Sequence, residues 1–261
     1  MKPEAIIGVI PARYDSQRLP AKALIDLMGK PMVQRVYEQA SRARLLNRVV
    51  VATDDKRIEK AVQGFGGEVV MTSRDIRSGS DRVAAVARSL QGDVFVNIQG
   101  DEPLIQPEMI DEAIQALLKD DEAVVSTLAR RIRSADELHN PAVVKVVFDR
   151  KFHAMYFSRS VIPHVRNQPD ISKWPEEAAL FKHVGIYVFR REFLLTYSTM
   201  ERSALEQAEN LEQLRIVEAG ETIAVGRTER DSIPVDTEED VKRVLEILKN
   251  PTPQTKLLKD L

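Results

Sequence analysis

The 261-residue sequence has no cysteine, a single tryptophan and only 5% aromatic residues. Without cysteine there are no disulfides, no thiolate metal sites and no cysteine nucleophile, so the strong metal ligands are carboxylates and four histidines. That donor set suits a hard cation such as magnesium. An excess of either charge is also missing: 38 Lys and Arg stand against 40 Asp and Glu, a net charge of −2. No bulk attraction to nucleic acid or to an anionic membrane follows, so any anion site must be built from local groups. No run of about 18 apolar residues occurs, and the early run from Ala5 to Ile10 is too short for a signal-peptide core. These absences predict a cytoplasmic protein with neither a nucleic-acid nor a membrane partner. What is present, 43% hydrophobic and 30% charged residues, suffices for a full core in one large domain or two small ones.

Short β-branched runs alternate with amphipathic segments along the first half. Ile6 to Ile10 reads as a strand, and Met32, Val33, Val36, Tyr37 and Ala40 follow at helical spacing. Further strands are expected from Arg48 to Ala52, Glu68 to Met71, Asp93 to Ile98 and Ala123 to Leu128. Helices carrying Ile58 and Val62, Val83 to Leu90, and Ile110 to Leu118 separate them, and Gly64, Gly66 and Gly67 read as a helix end. Strands joined this way pair in parallel through right-handed crossovers, so the expected class is α/β with a mostly parallel central sheet and flanking helices. Ligands of such sheets sit beyond the carboxyl ends of the strands. Past residue 140 the strand-like stretches Val143 to Phe148, Ala154 to Phe157 and Val184 to Phe189 have no helices between them, predicting an antiparallel extension over about 140–190. Pro163 to Glu177, with three prolines and Trp174, reads as a long loop over the site or at a subunit contact. A helix with Leu211, Leu214 and Val217, a strand from Thr222 to Val225 and a last helix with Val241, Val244, Leu245 and Leu248 complete the pattern.

The loop after the first strand places Arg13, Arg18, Lys22 and the Ser16 hydroxyl at the sheet's carboxyl edge. Such a loop can grip a triphosphate, because arginine offers forked donors to phosphate oxygens and lysine a point charge. On spacing alone it is also an ordinary solvated basic turn. It contains no glycine, which excludes the Gly-x-Gly-x-x-Gly turn of a dinucleotide-binding dehydrogenase.

The run Pro11-Ala12-Arg13-Tyr14-Asp15-Ser16-Gln17-Arg18-Leu19-Pro20-Ala21-Lys22 resembles the nucleotide-binding loop of sugar cytidylyltransferases, Pro-Ala-Arg-x-x-Ser-x-Arg-Leu-Pro-x-Lys. Ser78-Gly79-Ser80-Asp81-Arg82 and Val96-Asn97-Ile98-Gln99-Gly100-Asp101-Glu102-Pro103 resemble one branch of that family, the cytidylyltransferases of Kdo (3-deoxy-manno-octulosonate). The resemblance implies a Rossmann-like nucleotidyltransferase fold formed as a single domain, residues 1–261. It also implies CTP and Kdo as substrates, magnesium as cofactor, a homodimer paired through the antiparallel extension, and a place in lipopolysaccharide biosynthesis. Pro11, Ala12, Arg13, Ser16, Arg18 and Lys22 would hold the nucleotide, with Arg13, Arg18 and Lys22 acting on the triphosphate. Ser80 and Arg82 would read cytosine and ribose, and Gln99 would serve nucleotide and sugar. Asp101 and Asp236 would ligate the metal.

For the sugar, the resemblance covers Tyr156 to Arg159, His183 to Tyr187 and Asn210 to Arg215, implying contacts from Arg159, His183, Tyr187, Glu212 and Gln213. A cation suits the sugar's carboxylate, and amides and carboxylates suit its hydroxyls. Plainer roles stand beside these: Ser80 or Asp81 as a helix cap, Asp101 as a turn residue, Asp236 with Glu239 as a capping box, His183 as a bonded strand residue. The family pattern has Gly-Lys-Pro where this chain has Ala21-Lys22-Ala23, and 167–179 carries no motif. The expected reaction is attack by the sugar's anomeric hydroxyl on the α-phosphorus of CTP, giving CMP-Kdo and pyrophosphate. The alternatives are a cytidylyltransferase for another acidic sugar, a sialic acid or an amino-substituted Kdo, and a non-catalytic CTP-binding module.

Overall fold

β-Branched residues build the first strands. Strands β1 (Ile6–Ala12), β2 (Arg48–Thr53), β3 (Val69–Met71) and β4 (Val94–Asn97) pair in parallel in the order β3-β2-β1-β4. Val9, Ile10, Val50, Val51, Phe95 and Val96 are fully buried, as a parallel sheet covered on both faces requires. The computed structural model describes residues 5–15, 19–76 and 78–250. These divide into two compact units, one running to Asp111 and resuming at Ser232, the other from Glu112 to Asp231.

The first unit is closed by its last segment. The helix Glu238–Lys249 buries Val244 and Leu248 against Leu19, Leu27, Met32, Leu104 and Val235. That cluster brings residues near 235 back beside the loop after β1, and burying each such side chain contributes about 1.5–3 kcal/mol. The glycine run ends the helix Lys56–Gly64 as expected: Gly66 is left-handed at φ 77°, and the Gly67 N–H donates to the Val62 carbonyl at 2.9 Å.

The second unit holds β5 (Val125–Arg131), β6 (Lys145–Phe148), β7 (Ala154–Ser158), β8 (Phe181–Arg190) and β9 (Ile223–Thr228). β9 runs parallel to β5, whereas β8 is antiparallel to it and β6 is antiparallel to β7 and β8. β6 to β8 are the antiparallel strands expected over about 140–190. The segment from Pro163 to Glu177 departs from the plain loop expected of it. It contains a 3-10 turn, Ile171–Lys173, and one helical turn, Trp174–Glu177. The cause is Trp174 itself, which is 4% exposed, packs on Ile132, Leu138 and Leu180, and donates its indole N–H to the Gln168 carbonyl at 2.7 Å. Two short helices, Arg191–Tyr197 and Ala204–Glu209, have too few turns to show a periodicity and were not expected. Among the described residues no helix is long and apolar enough to cross a membrane.

Candidate active site

In the first unit, Pro11, Ala12, Arg13, Lys22, Gln99 and Asp101 line a cavity of about 250 Å³ at the carboxyl ends of β1 and β4. Ser16 and Arg18 lie outside the described residues. Arg13 is anchored by a 2.7 Å hydrogen bond from its guanidinium to the Ile76 carbonyl. Ala21 is left-handed at φ 55° and ψ 28°, the conformation for which the family pattern carries glycine. Holding alanine there costs roughly 1 kcal/mol, and the 3-10 turn Lys22–Leu24 nevertheless starts from it. Gly100 answers a different need, since a β-carbon at this position would stand 2.5 Å from the Pro11 carbonyl oxygen. Only glycine lets the loop after β4 pass that close to the end of β1 and bring Asp101 to the cavity.

The Lys22 ammonium joins residues far apart in sequence, donating to Asp101 Oδ2 at 2.6 Å and to Asp236 Oδ1 at 2.9 Å. A backbone bond from Val235 N–H to the Asp101 carbonyl, 2.9 Å, sets the two carboxylates side by side. Burial alone would lower the lysine's pKa, but the charge of and hydrogen bonds to Asp101, then those of Asp236, outweigh it and hold it above its ordinary value. The side chains of Asp101 and Asp236 are 28% and 33% exposed, so both carboxylates remain open to an incoming cation.

Asp236 does not cap the last helix. Thr237 does, accepting from the Asp240 N–H at 3.2 Å while Asp240 Oδ2 accepts from the Thr237 N–H at 2.9 Å and the Asp236 N–H at 3.0 Å. The capping box thus lies one residue further on than the Asp236–Glu239 pair, and the Asp236 carboxylate accepts from Lys22 instead of capping. Thr237→Ala is expected to cost about 1 kcal/mol, read as a lower urea midpoint at unchanged slope. An unchanged midpoint would mean that this cap does not hold the segment.

Ser78, rather than Ser80 or Asp81, caps the helix Gly79–Ser89, accepting from the Asp81 N–H at 3.0 Å. Gly79 is on the cavity wall, whereas Ser80 and Arg82 are buried at 3% and 0% exposure. Arg82 bonds the Thr72 hydroxyl and stands 3.5 Å from the Asp54 carboxylate. Burial lowers its pKa, and Asp54 partly offsets that. Through Thr72 it braces the residues 72–76, to which Arg13 is also tied.

The residues expected to hold the sugar fall in the second unit, apart from Gln99. Tyr187 donates to Gln213 Oε1 at 2.9 Å, and the His183 and Tyr187 ring centroids are 5.3 Å apart. Glu212 adjoins Gln213 and raises the Tyr187 phenol pKa after burial has raised it. Arg159 is committed otherwise: its guanidinium donates to the carbonyls of Glu209 (2.8 Å), Pro141 (3.1 Å) and Asn210 (3.3 Å). Nothing in the Tyr156 to Arg159 motif signals Glu209, whose carboxylate takes the Ser158 hydroxyl at 2.6 Å and the Arg159 N–H at 3.0 Å.

His183 stacks edge-on to Phe157, and burial pushes its pKa down to about 3. It is expected to show no titration between about pH 5 and 8, where an ordinary histidine changes charge. Since the unfolded chain takes up that proton first, this group costs stability progressively as pH falls from about 6.5 towards about 3. A ring resonance of His183 that moves through pH 6.5 would contradict this.

Comparison with known proteins adds to this geometry. A family model described as Cytidylyltransferase matches residues 7–223. The chain is 52% identical over 248 residues to a Geobacter sulfurreducens protein named 3-deoxy-manno-octulosonate cytidylyltransferase, covering 94% of this chain and 99% of that one. It is 46% identical to the protein of that name in Syntrophus aciditrophicus, covering 94% and 98%. Among solved structures it is similar to CMP:2-keto-3-deoxy-manno-octonic acid synthetase complexed with CTP, at TM-score 0.88 and 43% identity over 95% of this chain and all of that one.

Proposed function

This chain belongs to the cytidylyltransferase family, and from that premise we propose that it transfers CMP from CTP to the anomeric hydroxyl of Kdo, releasing pyrophosphate. The observation that carries the reading is Lys22, whose ammonium stands between Asp101 and Asp236 on the wall of a cavity that also presents Arg13 and Gln99. Arg13 and Lys22 supply positive charge to the triphosphate and stabilise the charge that gathers on the leaving pyrophosphate. The loop motif supplies a further cation, Arg18. Gln99 orients the reacting groups at the carboxyl end of β4. No side chain is needed as a nucleophile, because the sugar brings its own hydroxyl.

Asp101 and Asp236 fit a magnesium ion. Two hard, partly exposed carboxylates converge on one cationic point, and magnesium prefers one or two carboxylates completed by substrate phosphate oxygens. Among the described residues no group of three or more acidic or histidine side chains gathers, so phosphate oxygens would supply the rest of the shell. Such an ion polarises phosphate oxygens and favours the ionised hydroxyl. Asp101 and Asp236 would hold it, and the Lys22 ammonium, which stands between them, would serve the triphosphate.

Sugar selection falls to His183, Tyr187, Glu212 and Gln213, with Arg159 stiffening the turn beside them. The reading includes a single cytoplasmic enzyme acting as a homodimer through its antiparallel strands, near which Phe152 and Met155 are exposed at 39% and 61%. A pyrophosphate-release assay with CTP, magnesium and a panel of acidic sugars tests it. Kdo is expected to be turned over fastest. Faster turnover of a sialic acid or an amino-substituted Kdo would move the assignment to that sugar. CTP binding with no release for any of them would indicate a nucleotide sensor.

A further inference from the structure

β8 does not run straight against β5. The register jumps between Thr127 and Leu128, Thr127 facing Tyr187 and Leu128 facing Val184, so that Gly185 and Ile186 bulge out of the ladder. Four residues of regular strand would hold His183 and Tyr187 about 13 Å apart. The bulge brings their ring centroids to 5.3 Å. It also leaves the Val184 and Ile186 carbonyls 3.2 and 2.7 Å from Thr127 Oγ1, with His183 Nε2 at 2.8 Å from the same oxygen. Thr127 is fully buried.

A hydroxyl has one proton to give, and a carbonyl can only accept. The Thr127 proton therefore goes to a carbonyl, Ile186 being the nearer, and a lone pair of Oγ1 is left facing the imidazole. A neutral imidazole carries one N–H, which must then be on Nε2, and the lone pair is on Nδ1. We propose that Thr127 is a positioning residue that locks His183 as the neutral Nε2–H tautomer, so that Nδ1 accepts a hydrogen bond from a substrate hydroxyl instead of pairing with a carboxylate. The proposal rests on the reading of His183 as a sugar contact. Its surroundings agree with a hydroxyl ligand. Tyr187 uses its proton on Gln213 Oε1, which leaves the buried Gln213 Nε2 as a donor without a partner among the described residues. One acceptor and one donor match a sugar hydroxyl, which both gives and takes a hydrogen bond.

The test uses the full chain with isotope-labelled histidine, the His183 ring being assigned by its loss in His183→Gln. The wild-type ring is expected to give the two-bond nitrogen–proton pattern of an Nε2–H tautomer. The pattern of an Nδ1–H tautomer or of an imidazolium overturns the proposal. Thr127→Val keeps the β-branched shape and removes the acceptor. It is expected to lose the single-tautomer pattern and to raise KM for the sugar about tenfold, the effect of one neutral hydrogen bond, with KM for CTP unchanged. Thr127→Ser, which returns the hydroxyl, is expected to restore both. A folded Thr127→Val with unchanged sugar KM overturns the proposal, as does a Thr127→Ser that behaves like the valine variant. Should valine prevent folding, the wild-type spectrum and Thr127→Ser decide. A protein that turns over no acidic sugar would sink the functional reading alone, since the ring spectrum needs no substrate.

Discussion

Asp101→Asn is expected to lower kcat by about a hundredfold while the protein stays folded, because it removes one of the two carboxylates that would hold the magnesium ion at the phosphates. The carboxylate stands at the exposed end of β4, accepts from Lys22 at 2.6 Å and is fixed from behind by the Val235 N–H on its carbonyl. Asparagine keeps the shape and that backbone bond but neither the charge nor the second hard oxygen that a magnesium ion would take. Stability should hardly move. The pair it breaks is 17% and 28% exposed, and ion pairs this open contribute about 0–1 kcal/mol. Near-normal turnover in Asp101→Asn with magnesium present would show that the carboxylate is an ordinary turn residue.

Lys22→Ala is expected to slow transfer by about a hundredfold to a thousandfold, the usual loss when one preorganised charge contact to the transition state is removed. The substitution has a second consequence. With the ammonium gone, Asp101 and Asp236 lose the cation that stands between them, so divalent cations should bind more tightly to the nucleotide-free variant than to the wild type. Slow turnover combined with tighter cation binding is a signature that misfolding would not produce. Wild-type kinetics would leave Lys22 a surface cation, and weaker cation binding would mean that it does not occupy the metal position.

Much of the architecture was legible because its signals are local. The β-branched runs of β1, β2 and β4 and the helices between them announce a parallel sheet, and the loop motifs name residues that line the cavity at its edge. What the sequence hid is contact over distance. Asp236 lies 214 residues beyond Lys22, and apart from the resemblance, which implies a metal ligand, its spacing to Glu239 reads as a helix cap, a role that Thr237 takes one position later. The pairing depends on Val235, Val244 and Leu248 docking the last helix near Leu19, which no short motif encodes.

In the same way Arg82 reads as a ligand residue in its motif, yet it is fully buried against Thr72 and Asp54. Arg159 reads as a carboxylate clamp and is spent on three backbone carbonyls. A motif names residues without the partners that the fold gives them. Thr127 was missed altogether. Its only signal is Gly185, which lies in the bulge of β8 opposite it, and a glycine within a strand pattern is a recognised mark of a bulge.

The central claim is that Asp101 and Asp236 together hold the divalent cation that accompanies CTP. Titration of magnesium into the CTP-bound protein tests this most directly, in the wild type, Asp101→Asn and Asp236→Asn. Each variant is expected to bind the ion at least about tenfold more weakly than the wild type, as loss of a charged ligand requires. Wild-type affinity in either variant would contradict the claim.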